Sequence, residues 1–579
     1  MSKYPSFTFT TIGEKAKAIV DGVQTLTVLV IGSALDGPLN TPTRVANNQD
    51  CEAVFGPANY ATGYLDPVTG VESGRPAGAT IPLAVSEAFA GGCQDVYVMR
   101  VAGTKATATL GSGSYLAFKA KNPGRIYNGN TITYSFVGTT YTLAISQPLV
   151  KGGNITLTGS TTGSTLLDLL LQINNSGSNR LVNVDETATL IQTYLGTPLS
   201  ALAPNLTGTA TLTGGTNGCF AQGDDYGPEQ FTMAGTGLFG YAQALVAEDT
   251  GTFDSILNNR FGPDVVVLTG VHLDDQLTNG AGATTTSIAV DFADYLAKAS
   301  AEIQPVVGIL GTRAFFGRED SEIINYIKNN LKATAPAYWD QNAKWIKAGP
   351  IMYLGSTTTG YNGTQDLFSN LIVCSGPPVV FNHKGMNGDY TANFGAAYAG
   401  FLSSLPPESS SVQQPIPGIK AYGKPWPYMH ARTLLDGVGG SATVSGKGAY
   451  VCLVKSQISN SGPLVVNDDV TAADRNDFFA NLRERMLVNS IHKDIKNKLA
   501  PHLGKSAGAE RIALMEAAVL NILEGYNQSG ALFGGRGVGF DYEVKMSGAD
   551  TSAIIVRYEI TPARTIRKIN QVAIVRSQN

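Results

Sequence analysis

Two kinds of hydrophobic pattern divide the chain. Short, nearly continuous apolar runs read as strands buried on both faces: Leu26–Gly32, Asp95–Val101, Asp264–Thr269, Pro305–Leu310 and Leu371–Cys374. Helical periodicity lies over Asp50–Phe55, Pro82–Ala90, Gly240–Glu248, Thr252–Asn258, Asp291–Ala301, Asp320–Leu331 and Thr391–Ser404. The stops are glycine and proline, as at Gly56-Pro57, Gly91-Gly92 and Pro406-Pro407. Strands alternating with helices predict parallel βαβ units over 226–420.

The pattern changes between residues 104 and 220. Polar and apolar residues alternate with period two, as in Thr131–Val137 and Asn154–Thr158, and turns of Gly, Asn and Ser separate the runs. Only nine of these 117 residues are charged. This predicts a β-rich insertion, with one helix inside it over 164–174. Past residue 420 the longest helical stretch is Val470–Leu499, with Thr471 or Asp474 as its cap. A second helix, Arg511–Glu524, stops at Gly525, and two strands follow at Phe540–Met546 and Ala553–Thr561. Residues 1–24 and 565–579 read as arms. Both ends are compatible with β structure, and neither has a partner nearby in sequence. An unpaired terminal strand invites pairing with another chain.

Composition narrows the function. The chain has 579 residues, enough for several domains, and 15% of them are charged. Its net charge of −4 argues against a general nucleic-acid binder. The longest apolar runs fall short of a membrane helix, and Met1–Thr10 lacks the apolar core of a secretory signal, so cytoplasmic synthesis is expected. The five cysteines, Cys51, Cys93, Cys219, Cys374 and Cys452, lie far apart and read as buried thiols. His272, His383, His430, His492 and His502 have no metal-ligand spacing. Gly439–Gly448 resembles a phosphate loop, but Gly448 stands where the metal-binding hydroxyl belongs. Gly534–Gly539 follows a helix rather than a strand, which is the wrong setting for a dinucleotide loop. The pairs Asp224-Asp225 and Asp274-Asp275 read as solvated turns. Thr269, His272 and Asp274, after one buried strand, are the best constellation for an α/β enzyme.

Charge is polarised toward the C-terminal end. Arg483, Arg485, Lys493, Lys496, Lys498 and Lys505 stand against two anions, and Arg557, Arg564, Arg567, Lys568 and Arg576 against one. Such segments suit docking to an acidic partner.

Three regions resemble the sheath proteins of contractile phage tails and related contractile injection particles. Val28–Pro42 is similar to the family's strand followed by Gly-x-Ala-x-x-Gly-Pro, and Val45–Pro57 continues the match. Phe89–Gly92 followed by Val96–Val101 is similar to a second motif, with Ala90-Gly91 in place of the usual Asn-Gly. Arg475–Asn497, which carries Arg483 and Asn489, then Asn521–Gly530 and Val556–Ile574, resemble the family's C-terminal part.

The resemblance implies a multidomain fold of α+β and α/β parts. A core split between the two ends (25–103 and 421–564) would carry an inserted β-rich outer domain (104–225) and an inserted α/β domain (226–420), with arms at 1–24 and 565–579. It implies a structural subunit rather than an enzyme, without cofactors. Stacked hexameric rings would surround an inner tail tube and contract to drive it through the host envelope. The six cations of Arg483–Lys505 would face the tube, and Ile566, Ile569, Val572 and Ile574 of the tail would pair with a neighbouring copy. Implied partners are other copies, the tube protein, and baseplate and tail terminator proteins, with no nucleic acid and no membrane insertion. The implied location is a virion tail assembled in the host cytoplasm. A non-contractile capsid or adhesin protein is the alternative.

Overall fold

The computed structural model describes residues 10–12, 26–56, 80–101, 105–111, 116–122, 127–146, 155–175, 182–184, 194–215, 245, 251–272, 276–278, 284–312, 344–345, 351–352, 365–377, 379–383, 388–406, 409–422, 425, 450–456, 462–473, 478–506, 508–546 and 553–563. It is a mixed α/β chain with several sheets. The helices expected at 240–248 and 320–331, the Asp pairs, Cys219, the loop 439–448 and the tail from 564 lie outside these residues, except for the single helical residue Leu245.

The first elements are β1 (Thr10–Ile12), β2 (Val28–Gly32), β3 (Thr43–Val45), α1 (Asn48–Phe55), α2 (Ile81–Gly91) and β4 (Val96–Arg100). Asn47 caps α1 through its side chain, which accepts from Asp50 N–H, and Gly56 ends it at φ 85°. Gly92, at φ 114°, ends α2.

The insertion holds β5 (Thr107–Leu110), β6 (Leu116–Ala120), β7 (Thr131–Val137), β8 (Thr140–Ser146), β9 (Ile155–Ser160), α3 (Leu166–Asn175), β10 (Val182–Val184), α4 (Leu199–Leu206) and β11 (Gly208–Thr211). Two sheets, ordered β10-β6-β5 and β11-β7-β8-β9, share a hydrophobic cluster confined to residues 106–212. Thr107 and Thr213 exchange both backbone hydrogen bonds, so the chain enters and leaves at one neck.

Next come α5 (Thr252–Asn258), β12 (Val265–Leu268), the hairpin β13 (Gln276–Thr278) and β14 (Thr284–Ser287), α6 (Ile288–Glu302) and β15 (Val307–Gly311). The short strands β16 (Lys344–Trp345), β17 (Ile351–Met352) and β18 (Gln365–Asp366) precede β19 (Leu371–Cys374), β20 (Val379–His383), β21 (Gly388–Ala392), α7 (Gly395–Ser404) and β22 (Ala421–Tyr422). The helix expected over 391–404 begins later, because Gly388–Ala392 pairs with β20 and the Asn393 side chain accepts the Gly395 N–H.

The central sheet has the order β19-β15-β12-β2-β4-β3, parallel except for β3. Segments 25–103 and 226–420, separate in the sequence reading, therefore meet in a single sheet. Its strands read VLVIG, VYVMR, VVVL, VGILG and LIVC, the composition of strands covered on both sides. Alternate residues sort onto two faces. Val28, Val30, Val96, Val98, Val265, Val267, Val307 and Ile309 pack with α2 and α7. Leu29, Ile31, Met99, Val266, Leu268 and Leu310 pack with α5 and α6. Helices α2 and α7 cross through glycine: a Cβ on Gly400 would lie 2.0 Å from the Ala88 carbonyl oxygen, and one on Gly91 would lie 2.2 Å from that of Ala397.

The C-terminal unit contains the pair β23 (Leu453–Val454) and β24 (Val465–Val466), then α8 (Leu482–Leu499), α9 (Ala509–Gln528), β25 (Phe540–Met546) and β26 (Ile554–Ile560). The long helix begins at 482, not 470. Thr471 donates its hydroxyl to the Phe479 carbonyl, Ala472 N–H bonds the Leu371 carbonyl at the start of β19, and Asn481 is the cap. Gly525 does not stop α9; it is buried in the last turn of the helix, and the left-handed turn comes at Gly530 with φ 89°. Helices α8 and α9 share a core with β25 and β26.

Candidate functional site

The ends of the described chain meet in one small sheet, ordered β17-β1-β26-β25. β1 runs parallel to β17 and to β26, with Thr10 opposite Arg557 and Thr11 opposite Tyr558. β25 pairs antiparallel with β26 over seven residues and forms the outer edge of the sheet among the described residues. Phe533 N–H bonds the Thr561 carbonyl and Ala563 N–H bonds that of Ala531, which ties the end of β26 to the loop after α9. The tail leaves from this point. Ile566, Ile569, Val572 and Ile574 lie outside the described residues.

The six cations of Arg483–Lys505 sit in different surroundings. Arg485 is 1% exposed, and its guanidinium lies 4.6 Å from the centre of the Phe479 ring. Lys493 Nζ lies 2.6 and 2.7 Å from the two carboxylate oxygens of Asp264, whose Oδ2 also accepts the Thr27 N–H. Lys496 donates to the Ile303 carbonyl, and burial lowers its pKa. Arg483 donates to the Ala563 carbonyl. Lys498 and Lys505 are exposed. Four of the six cations therefore tie α8 to its own chain. The flank of the helix rests on the N-terminal end of β12 and the C-terminal end of α6, where Asp264 and the Ile303 carbonyl supply acceptors. Sequence reading missed Asp264; its signal was a carboxylate directly before a buried strand.

His492 follows the same helix into the core. It is 4% exposed, and its Nδ1 lies 3.1 Å from the Tyr558 hydroxyl. Burial, with Lys496 and Arg485 adding repulsion, pushes its pKa down to about 3.

The enzyme candidates gather at the C-terminal ends of the central strands. Thr269 and His272 line a cavity of about 70 Å³ with Thr80, Thr312, Asn393 and Glu87. Asp274 lies outside the described residues. The hydroxyls form a directed chain. Ser33 N–H donates to Thr80 Oγ1, Thr80 and Thr269 are 2.8 Å apart, and Thr269 donates to the Ile31 carbonyl. These bonds tie the loops after β2 and β12 to the start of α2. Among the described residues no group of three or more His, Cys, Asp or Glu is placed to hold a metal, and no helix is long and apolar enough to cross a membrane. Burial raises the Cys51 and Cys452 thiols to about 12 and raises those of Cys93 and Cys374 as well.

Asp36 joins insertion and core. Asp36 Oδ1, in the turn after β2, accepts from the Tyr127 hydroxyl at 2.5 Å, from Asn122 Nδ2 at 2.9 Å and from Gly37 N–H at 2.7 Å. Arg100, fully buried, donates to the Gly37 carbonyl beneath it. In the sequence, Asp36 stands out only as part of the Val28–Pro42 motif.

No family model matches the chain, and no curated protein does. Solved structures match along nearly its whole length, and they are sheath tail proteins and sheaths of contractile injection systems. The crystal structure of the sheath tail protein from Listeria innocua matches at 13% identity over 94% of each chain, with a TM-score of 0.53. That of the sheath tail protein from Desulfitobacterium hafniense matches at 13% identity over 94% of this chain and 96% of that one, with a TM-score of 0.46. The contracted helical sheath of the anti-feeding prophage matches at 11% identity over the whole of both chains, with a TM-score of 0.43. The Listeria likeness shows a shared fold.

Proposed function

We propose that this chain is the structural subunit of a contractile tail sheath. It stacks as hexameric rings around an inner tail tube and shortens to drive the tube through a host envelope. The observation that carries the reading is the end-to-end likeness in fold to the Listeria sheath tail protein. The terminal sheet supports it. A three-residue strand from the N-terminal arm pairs with β26, and sixteen further residues follow Ala563 in the sequence. Short parallel pairing of this kind is readily exchanged between copies, so the arms link neighbours by strand addition.

Lys498 on α8 and Lys505 after it are exposed and would face an acidic tube, and screened pairs of that kind release when the sheath fires. The work comes from repacking between two lattice states, not from chemistry. Baseplate and terminator proteins cap the polymer, which belongs to a virion tail put together in the host cytoplasm.

Negative-stain electron microscopy of the purified protein tests the proposal. Hollow striated tubes are expected for the full chain, and dispersed, folded subunits for a chain ending at Ala563. Dispersed particles from the full chain, with or without added salt, would count against a sheath.

A further inference from the structure

The sheet β11-β7-β8-β9 buries Ile132, Tyr134, Tyr141, Leu143, Ile145, Leu157 and Ala210 on its inner face. Its other face is exposed or half-buried, and the strand register lays it out in rows. Thr211, Thr131 and Ser146 form one row, and Thr209, Thr133, Ala144 and Thr156 the next. Ser135, Thr142 and Thr158 follow, then Val137, Thr140 and Ser160. Eleven of these thirteen side chains are Thr or Ser; none is charged, an amide or aromatic. An ordinary exposed sheet face carries Lys, Glu or Arg.

We propose that this face binds a neutral polyhydroxylated chain, a stretch of uncharged glycan. Each threonine offers a methyl and a hydroxyl side by side, and a sugar ring likewise offers C–H patches and hydroxyls. A threonine hydroxyl both donates and accepts, and it rotates to suit its partner, so the array adapts to hydroxyls of either sense. Thr133 and Thr209 already bond in this way at 3.0 Å. With no charge on the face, an anionic polymer finds no counterion there, and a neutral one desolvates no charge. Size separates a glycan from a second copy of this chain. Four strands about 4.8 Å apart and roughly seven residues long make a face on the order of 400 Å². A stable protein interface takes about 800 Å² from each partner. A few sugar units fit the smaller area, and repetition over many subunits turns weak single contacts into avidity.

Affinity electrophoresis of the full chain through gels containing dextran, galactomannan or the polyanion alginate tests this. Retardation by a neutral polymer, absent with alginate and abolished in the double variant Thr133→Glu/Thr158→Glu, is the expected result. The variant Thr133→Val/Thr142→Val removes hydroxyls without adding charge or changing shape, and it is expected to lose at least half of the retardation. Unchanged melting curves show that both variants fold. Equal retardation of the variants, retardation by alginate, or none in any gel overturns the proposal. So does sedimentation in which the wild type self-associates and the Glu variant does not, which would assign the face to a second copy.

Discussion

Neutral His492 is held in the folded chain by burial and by two nearby cations, and this makes stability depend on pH. Its pKa of about 3 lies below the ordinary value of 6.5 that it regains on unfolding. Below pH 6.5 the unfolded chain takes up a proton that the folded chain refuses, so this residue lowers stability as pH falls from 6.5 toward 3. Between pH 6 and 4.5 the loss is about 2 kcal/mol. Urea titrations at both pH values are expected to show that drop in the wild type, and a drop smaller by that amount in His492→Gln. Equal drops would mean that His492 is protonated in the native core. The cations of the same helix carry a second residue-scale expectation. Replacing Lys493 with Met leaves Asp264, 7% exposed, with a single neutral donor. Loss of one partner from such a pair costs about 2 kcal/mol, and the urea midpoint reads it.

Among the elements, the α2–α7 crossing is the most sensitive. The obstacle at Gly400 is a backbone carbonyl in a second helix, so neither side can rotate away. Gly400→Ala is expected to force the helices apart and cost about 3 kcal/mol, whereas Ala396→Gly, on the same helix, is expected to cost about 1.5 kcal/mol through propensity and the loss of one buried methyl. Comparison of their urea midpoints checks the difference. The same elements show what could be read from sequence. β19 and α5 fall on their expected residues, because a buried run between turn residues and a short periodic segment are local signals. The start of α8 was misplaced because Thr471 and Asp474 look like caps, while a tertiary bond from Thr471 to Phe479 decides the matter. Gly525 looks like a stop, yet it stays within the last turn of α9, since a helical glycine weakens a helix without ending it. Charge counting along α8 could not separate Lys498 from Lys493, since the acceptor at Asp264 is 229 residues away. The pairing of β1 with β26 joins the two ends of the chain, and no local pattern encodes it.

At the scale of the whole molecule, the insertion has its own core and a side-chain peg, Asp36, at its junction with the central sheet. Tyr127→Phe removes one of three donors to that peg, and burial against Asp36 keeps the lost hydroxyl in its neutral form. Hydrogen exchange is expected to quicken roughly tenfold in peptides covering 33–39 and 116–122, as the loss of one such bond implies. Exchange over 131–146 is expected to stay unchanged, and quickening there as well would mean that the peg supports the insertion's own fold. The neck has a different consequence. Because Thr107 and Thr213 are locked together, the polypeptide departs and returns at a single point, and what hangs between reaches back to the turn after β2 through Tyr127 and Asn122 on Asp36. Such a joint makes the outer module a cartridge. Lineages can trade it for another body with adjacent ends, and a designer can excise it for a short turn or graft a foreign domain in its place, while the machinery underneath keeps its connectivity.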